Sequence, residues 1–213
     1  MMMREGLRMV LNLHKDIQVV GEAEDGRQAI ALVKQLHPAV VLMDLAMPLL
    51  NGLEATRQIR NDFPEIKVII LSAHGDDAFV KQVTELGAAG FLLKQTSSAV
   101  LATAIREVQN GNTFFSPSIA KRLQGRDQKS LEGGGQFKKK GNRLSSREVE
   151  VLQLIAEGHP NKQIAAQMGV GFKTVDNIRQ RLMGKLNIHD VAGLTRYAIA
   201  EGIIKSNPQV PIG

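Results

Sequence analysis

Ala39-Val40-Val41-Leu42-Met43-Asp44 is the stretch on which the reading of this 213-residue chain turns. Five apolar residues follow Pro38 without a break, the composition of a strand buried on both faces, as in parallel sheets. The run ends on a carboxylate, and Met47-Pro48 and the turn pair Asn51-Gly52 come next. Working outward, similar short runs stand at residues 17–23, 67–72 and 90–93. Amphipathic stretches lie between and after them. Phe79, Val83 and Leu86 fall at i, i+4 and i+7, and Leu101, Ala104, Ile105 and Val108 at i, i+3, i+4 and i+7. The alternation predicts an α/β doubly wound parallel sheet over residues 1–124. It opens unusually: residues 4–13 already read as a helix, with Leu7, Val10 and Leu11 on one side, and no strand precedes it.

Residues 125–142 carry Gly133-Gly134-Gly135 and Lys138-Lys139-Lys140 with few large apolar side chains, and read as a flexible linker that tethers two domains loosely. Residues 143–213 then turn wholly helical. Ser145 and Glu148 form a capping box ahead of Val149, Leu152 and Ile155, and Gly158 ends that helix. A second helix starts near Pro160-Asn161, and a turn follows at Gly169-Val170-Gly171. Helices over residues 172–186 and about 190–200 complete a small all-α four-helix domain.

Charge divides the chain at the same place. Residues 1–124 hold thirteen basic and thirteen acidic side chains and residues 125–213 fourteen against eight, so the whole net charge of +6 sits in the last part. A neutral module joined to one that binds a polyanion gives this asymmetry, and so does a solvated basic face without a partner. Apolar residues at 43% and charged residues at 23% are ordinary globular usage. No apolar run nears the roughly 18 to 20 residues of a membrane span, and no export leader stands at the start, so a soluble cytoplasmic protein without a membrane partner is expected. The lack of Cys excludes disulfides and thiolate chemistry, and the five His show no ligand spacing.

Asp44 falls at the carboxyl end of its strand, where open α/β sheets place their functional crevice. Ser72 ends the next strand and Lys94 follows the one after, so an acid, a hydroxyl and an ammonium converge on one edge. Together they suit a covalent phosphoryl adduct: the carboxylate attacks, the hydroxyl donates to a phosphoryl oxygen, and the ammonium offsets the added charge. The matching pieces are Arg4-Glu5-Gly6-Leu7-Arg8, Val19-Val20-Gly21-Glu22-Ala23, Asp44-Leu45-Ala46-Met47-Pro48 and Gly90-Phe91-Leu92-Leu93-Lys94. Through them nearly all of residues 1–115 resembles the receiver domain of two-component response regulators, in the branch of the nitrate and nitrogen-fixation regulators. The resemblance implies a flavodoxin-like fold with Asp44 as phosphoacceptor, Ser72 as switch hydroxyl and Lys94 as phosphate-binding ammonium. It also implies that Phe91 is the aromatic that changes rotamer on activation.

The match has a gap. Receivers begin with a strand ending in two adjacent acidic residues that help hold Mg2+, and neither residue is present here. Asp44 and the carbonyl of Ala46 are the matching metal ligands that remain, too few for a hard octahedral cation. Mg2+ is therefore expected for a complete receiver and poor binding for this chain. Two explanations are open: the sequence begins inside the natural reading frame, which is the preferred one, or the receiver is a passive module that is not phosphorylated efficiently.

On the helix over residues 172–186, about 100° per residue puts Val175, Ile178, Leu182 and Leu186 on one side. Lys173, Asn177, Gln180 and Gly184 fall opposite, flanked by Asp176 and Arg181. Such a helix packs its seam on a bundle and lays its polar stripe in a major groove, where Asn and Gln pair with adenine edges and Lys with guanine or phosphate. Asn161 and Lys162, at the start of the preceding helix, are placed to meet phosphate. The pieces Leu144-Ser145-Ser146-Arg147-Glu148, Asn161-Lys162-Gln163-Ile164-Ala165, Lys173-Thr174-Val175-Asp176-Asn177 and Lys185-Leu186-Asn187-Ile188 make residues 144–204 resemble the LuxR-type helix-turn-helix domain. By that resemblance the DNA-binding candidates are Asn161, Lys162, Lys173, Thr174, Asp176, Asn177, Gln180 and Arg181, and the last helix is a dimerisation element. Ile178 stands where the family commonly has His, and Asp176 sets a negative charge beside the groove, to accept from a cytosine amino group or to repel phosphate.

The expected function is a phosphorylation-controlled, DNA-binding transcription regulator of a two-component system, not an enzyme. Its expected partners are double-stranded DNA, a sensor histidine kinase, a second copy in an active homodimer, and RNA polymerase. The missing acidic pair motivates a different class, a constitutive DNA-binding protein whose degenerate receiver serves protein docking or dimerisation. An α/β enzyme with a basic tail finds no Gly-rich phosphate loop, nucleophile–base pair or cofactor fingerprint in the sequence.

Overall fold

A computed structural model of the chain describes residues 2–73, 77–116, 119–120 and 144–204. Four strands, β1 (Val40–Asp44), β2 (Lys67–Ser72), β3 (Gly90–Leu93) and β4 (Phe114–Phe115), pair in parallel in the order β1-β2-β3-β4. They alternate with helices α1 (Met2–Leu11), α2 (Gly26–Leu36), α3 (Gly52–Asp62), α4 (Asp77–Glu85) and α5 (Ser98–Gln109). On β2, Val68 and Ile70 pack with Val33, Ile59 and Val83, while Ile69 and Leu71 pack with Leu11, Leu101 and Val108. Successive side chains thus enter two cores, which is why Val68 to Leu71 are all apolar and why helices cover both faces. The doubly wound sheet read from the alternation is the one observed.

Residues 17–23, expected as a strand, carry none. A strand needs a ladder, and here the neighbour is missing: no backbone hydrogen bond joins residues 18–22 to another described residue. Between this extended segment and β1 lies a cavity of about 510 Å³, walled by Val19, Gly21, Val40 and Leu42 and flanked by Leu7 and Ile105. On the other side of β1, Lys67 N–H donates to Ala39 and Leu45 N–H to Leu71, which fixes the parity of the ladder. The peptide groups of Val41 and Met43 therefore point at β2 and those of Val40 and Leu42 at the cavity. The short β4 was not among the expected strands, and the first helix runs over Met2–Leu11 in place of residues 4–13.

The second unit comprises α6 (Ser146–Ala156), α7 (Asn161–Met168), α8 (Phe172–Leu186) and α9 (Val191–Ala200). The expected capping box forms: Ser145 N–H donates to Glu148 Oε2 at 2.7 Å and Glu148 N–H to Ser145 Oγ at 3.4 Å. Gly169, at φ 64°, supplies the left-handed residue that ends α7 and turns the chain toward α8. Leu152, Leu154, Ile164, Val175, Leu182 and Leu194 are fully buried in the core, each contributing roughly 1.5 to 3 kcal/mol. The linker expected over residues 125–142, with Lys138-Lys139-Lys140, and the tail 205–213 lie outside the described residues.

Candidate functional site

β1 delivers Asp44 to the carboxyl edge of the sheet, where Lys94 Nζ donates to its Oδ2 at 2.5 Å and Ala46 N–H to its Oδ1 at 3.1 Å. The Lys94 side chain is 11% exposed and that of Asp44 31%. Lys94 is placed by its backbone, whose N–H donates to the Ser72 carbonyl at 2.7 Å, so the ends of β2 and β3 are tied and all three expected residues meet at one edge. Ser72 is buried there, and Phe91 on β3 is fully buried in the core below. The turn pair has a steric reason: a Cβ on Gly52 would collide with the Asp44 carbonyl oxygen, while Asn51 Oδ1 caps α3 by accepting from Glu54 N–H at 2.9 Å. The result is a partly exposed carboxylate, neutralised by one ammonium, with an open side for attack.

The donor set does not fit Mg2+. Both carboxylate oxygens of Asp44 are engaged, and Ala46 meets it through its N–H. No group of three or more His, Cys, Asp or Glu that could hold a metal ion stands together among the described residues.

The loop after Asp44 is held by the second unit. Gln153 on α6 accepts from Asn51 N–H at 2.8 Å and Asn51 Nδ2 at 3.1 Å, and donates to the Met47 carbonyl at 2.9 Å. Leu49 N–H donates to Glu157 Oε2 at 3.2 Å, and the Leu49 side chain packs against the core of the helical unit. Beside them Arg27 donates to the Gln167 carbonyl at 2.6 Å and pairs with Glu150. Burial pushes the Glu150 carboxyl above its ordinary range, with the nearby Glu54 adding to the push and Arg27 and Arg147 opposing it. None of these residues was a candidate from sequence, because each partner lies more than 100 positions away and no local pattern marks it.

On α8 the expected division holds: Val175, Ile178 and Leu182 are buried, and Lys173, Thr174, Asn177, Gln180, Arg181 and Gly184 are exposed. Asp176 accepts from Gln180 Nε2 at 3.3 Å, so its charge is shared with the neighbouring stripe. Lys162 is exposed, whereas Asn161 Oδ1 accepts from Arg179 Nη1 at 3.1 Å, tying the start of α7 to α8. Arg179, on the flank of the helix, was missed. Lys185 Nζ donates to Glu148 Oε2 at 2.7 Å and anchors the far end. Burial alone would raise the Glu148 carboxyl, but Lys185 and Ser145 outweigh it and hold it below its ordinary range. Because α6 and the end of α7 make the contacts with the sheet unit, the polar stripe of α8 stays open.

A family model described as the response regulator receiver domain matches residues 1–106, and one described as the bacterial regulatory proteins of the luxR family matches residues 142–198. The transcriptional regulatory protein DegU of Brevibacillus brevis is 35% identical over 213 residues, spanning 95% of this chain and 90% of the relative. The response regulator protein VraR of Staphylococcus aureus is 34% identical over 204 residues, spanning 96% and 94%. Among solved structures, the RcsB response regulator of Salmonella typhimurium matches with a TM-score of 0.54 at 28% identity over 94% of each chain. An RcsB–DNA complex matches with a TM-score of 0.53 at 29% identity, over 91% of this chain and 90% of that one. No described helix is long and apolar enough to cross a membrane.

Proposed function

Because this chain belongs to the two-component response regulators that join a receiver domain to a LuxR-type DNA-binding domain and regulate transcription, we propose that Asp44 is the phosphoacceptor through which a sensor histidine kinase controls it. The observation that carries this reading is the 2.5 Å contact of Lys94 with Asp44 at the end of three adjacent strands. An Asp44 oxygen attacks the phosphorus of the donor, the bond from phosphorus to the donor's leaving group breaks, and that group departs with its electron pair and takes up a proton from solvent. Lys94 then follows the new charge onto a phosphoryl oxygen, Ser72 donates to another, and Phe91 repacks beneath them. Receivers generally use Mg2+ for this chemistry; the donors around Asp44 do not fit the ion.

The receiver spans residues 1–124 and the DNA-binding domain residues 143–213, joined by 125–142. In the second domain, α8 enters a major groove with Lys173, Thr174, Asn177, Gln180 and Arg181, Asp176 modulates the contact, and Asn161 and Lys162 meet phosphate. Homodimerisation through α9 is supported by Val191 and Ile199, 45% and 37% exposed and two turns apart. A dimer would set two copies of α8 about one DNA turn apart. The protein acts in the cytoplasm, with RNA polymerase as a further partner, and without turnover of its own. Acetyl phosphate labelling tests the reading: a base-labile adduct should form on the full chain and vanish in Asp44→Ala. Failure to form it removes the signalling role.

A further inference from the structure

Gln153 belongs to the DNA-binding domain, yet its side chain serves the receiver. It is fully buried on α6. Oε1 accepts from the backbone N–H and the Nδ2 of Asn51, at 2.8 and 3.1 Å, and Nε2 donates to the Met47 carbonyl at 2.9 Å and to Glu157 Oε1 at 2.8 Å. A buried amide engaged in this way is costly to move, since every broken bond leaves a desolvated polar group behind.

The loop it grips also shapes the phosphoacceptor. Ala46 N–H donates to Asp44 Oδ1 at 3.1 Å, and Gly52, next to Asn51, lies against the Asp44 carbonyl. Leu49 sits at φ 63°, a left-handed conformation that a leucine disfavours. What holds it there comes from the other domain: Glu157 on its N–H, and the core of the DNA-binding unit around its side chain. The receiver holds part of this loop itself, since Leu50 is buried in the sheet core and its carbonyl accepts from Gly26 N–H at 3.1 Å, while the DNA-binding unit supplies the contacts at Met47, Leu49 and Asn51.

Resting on the reading of Asp44 as acceptor, we infer that Gln153 is a positioning residue for phosphorylation, through which the docked DNA-binding domain holds residues 46–51 in a form that slows phosphoryl transfer. Transfer must lift Lys94 from Asp44 and admit three oxygens beside Ala46, and a pinned loop resists that expansion. Linkage is reciprocal: the phosphoryl group weakens docking by the same factor by which docking disfavours the phosphorylated state. The open stripe of α8 means that this coupling does not work by uncovering the DNA-binding face.

The test uses the full chain and a concentration series of acetyl phosphate, with adduct followed by intact mass. Gln153→Leu keeps the volume without polar atoms. Gln153→Glu keeps an acceptor for Asn51 but loses the donor to Met47 and sets like charge against Glu157. Both should raise the maximum labelling rate about three- to tenfold, with the half-saturating donor concentration unchanged. Thermal unfolding checks that each variant is folded. A purely structural Gln153 would lower the unfolding temperature and leave the maximum rate where it was; an unchanged rate in the folded variants overturns the proposal. Asp44→Asn serves as the separate control. An adduct that survives it overturns the acceptor reading, whereas its loss together with unchanged rates in the Gln153 variants overturns the positioning role alone.

Discussion

Lys94 reaches Asp44 across the end of β2, its Nζ 2.5 Å from Oδ2, so one ion pair links the first and third strands of the sheet over the strand between them. The pair is mostly shielded on the lysine side, at 11% exposure, and more open on the aspartate side, at 31%. A phosphoryl donor of the kind proposed would approach from the aspartate side, with the ammonium behind it.

Replacing the lysine separates its two duties. Lys94→Ala leaves a half-buried carboxylate without its partner, at a cost of about 1 to 2 kcal/mol of stability in urea unfolding. The same variant should label with acetyl phosphate at least about tenfold more slowly, since one charge-assisted contact to the phosphoryl group is lost. Wild-type labelling kinetics in Lys94→Ala would exclude a role for the ammonium in the transfer.

The outer face of α8 makes two different predictions. Lys173→Ala should weaken binding to a promoter fragment and make the salt dependence shallower by about one in log–log slope if its contact is to phosphate. Gln180 Nε2 already donates to Asp176 at 3.3 Å and would have to turn from it to make the proposed contact with a base. Gln180→Ala should cost about 1 to 3 kcal/mol on the preferred site with the salt slope unchanged. Mobility-shift titrations at several salt concentrations separate the two.

Docking should respond to pH through Glu150. Burial raises its carboxyl above the ordinary 4.5 in the docked form, so the docked protein keeps a proton that the released, solvated form gives up. Docking is therefore strengthened as pH falls from neutrality toward 4.5, and the added strength is lost as pH rises through the raised value. Energy transfer between dyes on the two domains should increase on mild acidification, and Glu150→Gln should flatten that response in this window.

The ladder parity on β1 is open to hydrogen exchange. Amides of Val41 and Met43, which point at β2, should exchange slowly, and those of Val40 and Leu42, which point at the cavity, much faster. Equal protection of all four would mean that the cavity is filled. An apolar strand fused ahead of α1 that raised the unfolding temperature and slowed Val40 and Leu42 would locate its seat.

The sheet and the α8 stripe were legible because both are written in local periodicity: a continuous apolar run ending at Asp44, and Val175, Ile178 and Leu182 at helical spacing. Residues 17–23 have the same composition as a strand, yet strand formation depends on a partner that composition does not report. Phe114–Phe115 is too short to carry a period. Arg27, Gln153 and Glu157 were illegible for a different reason. They look like ordinary polar helix positions, and only the meeting of two distant segments gives them work.

The stripe on α8 stays in solvent while the two domains are clasped. Under the groove contact proposed for α8, an unmodified molecule would travel along the chromosome on its cations, and a stimulus would find its recipient already aboard the duplex. How quickly a gene answers would then be decided by phosphoryl chemistry and by the pairing of neighbours, not by a search begun from bulk solution.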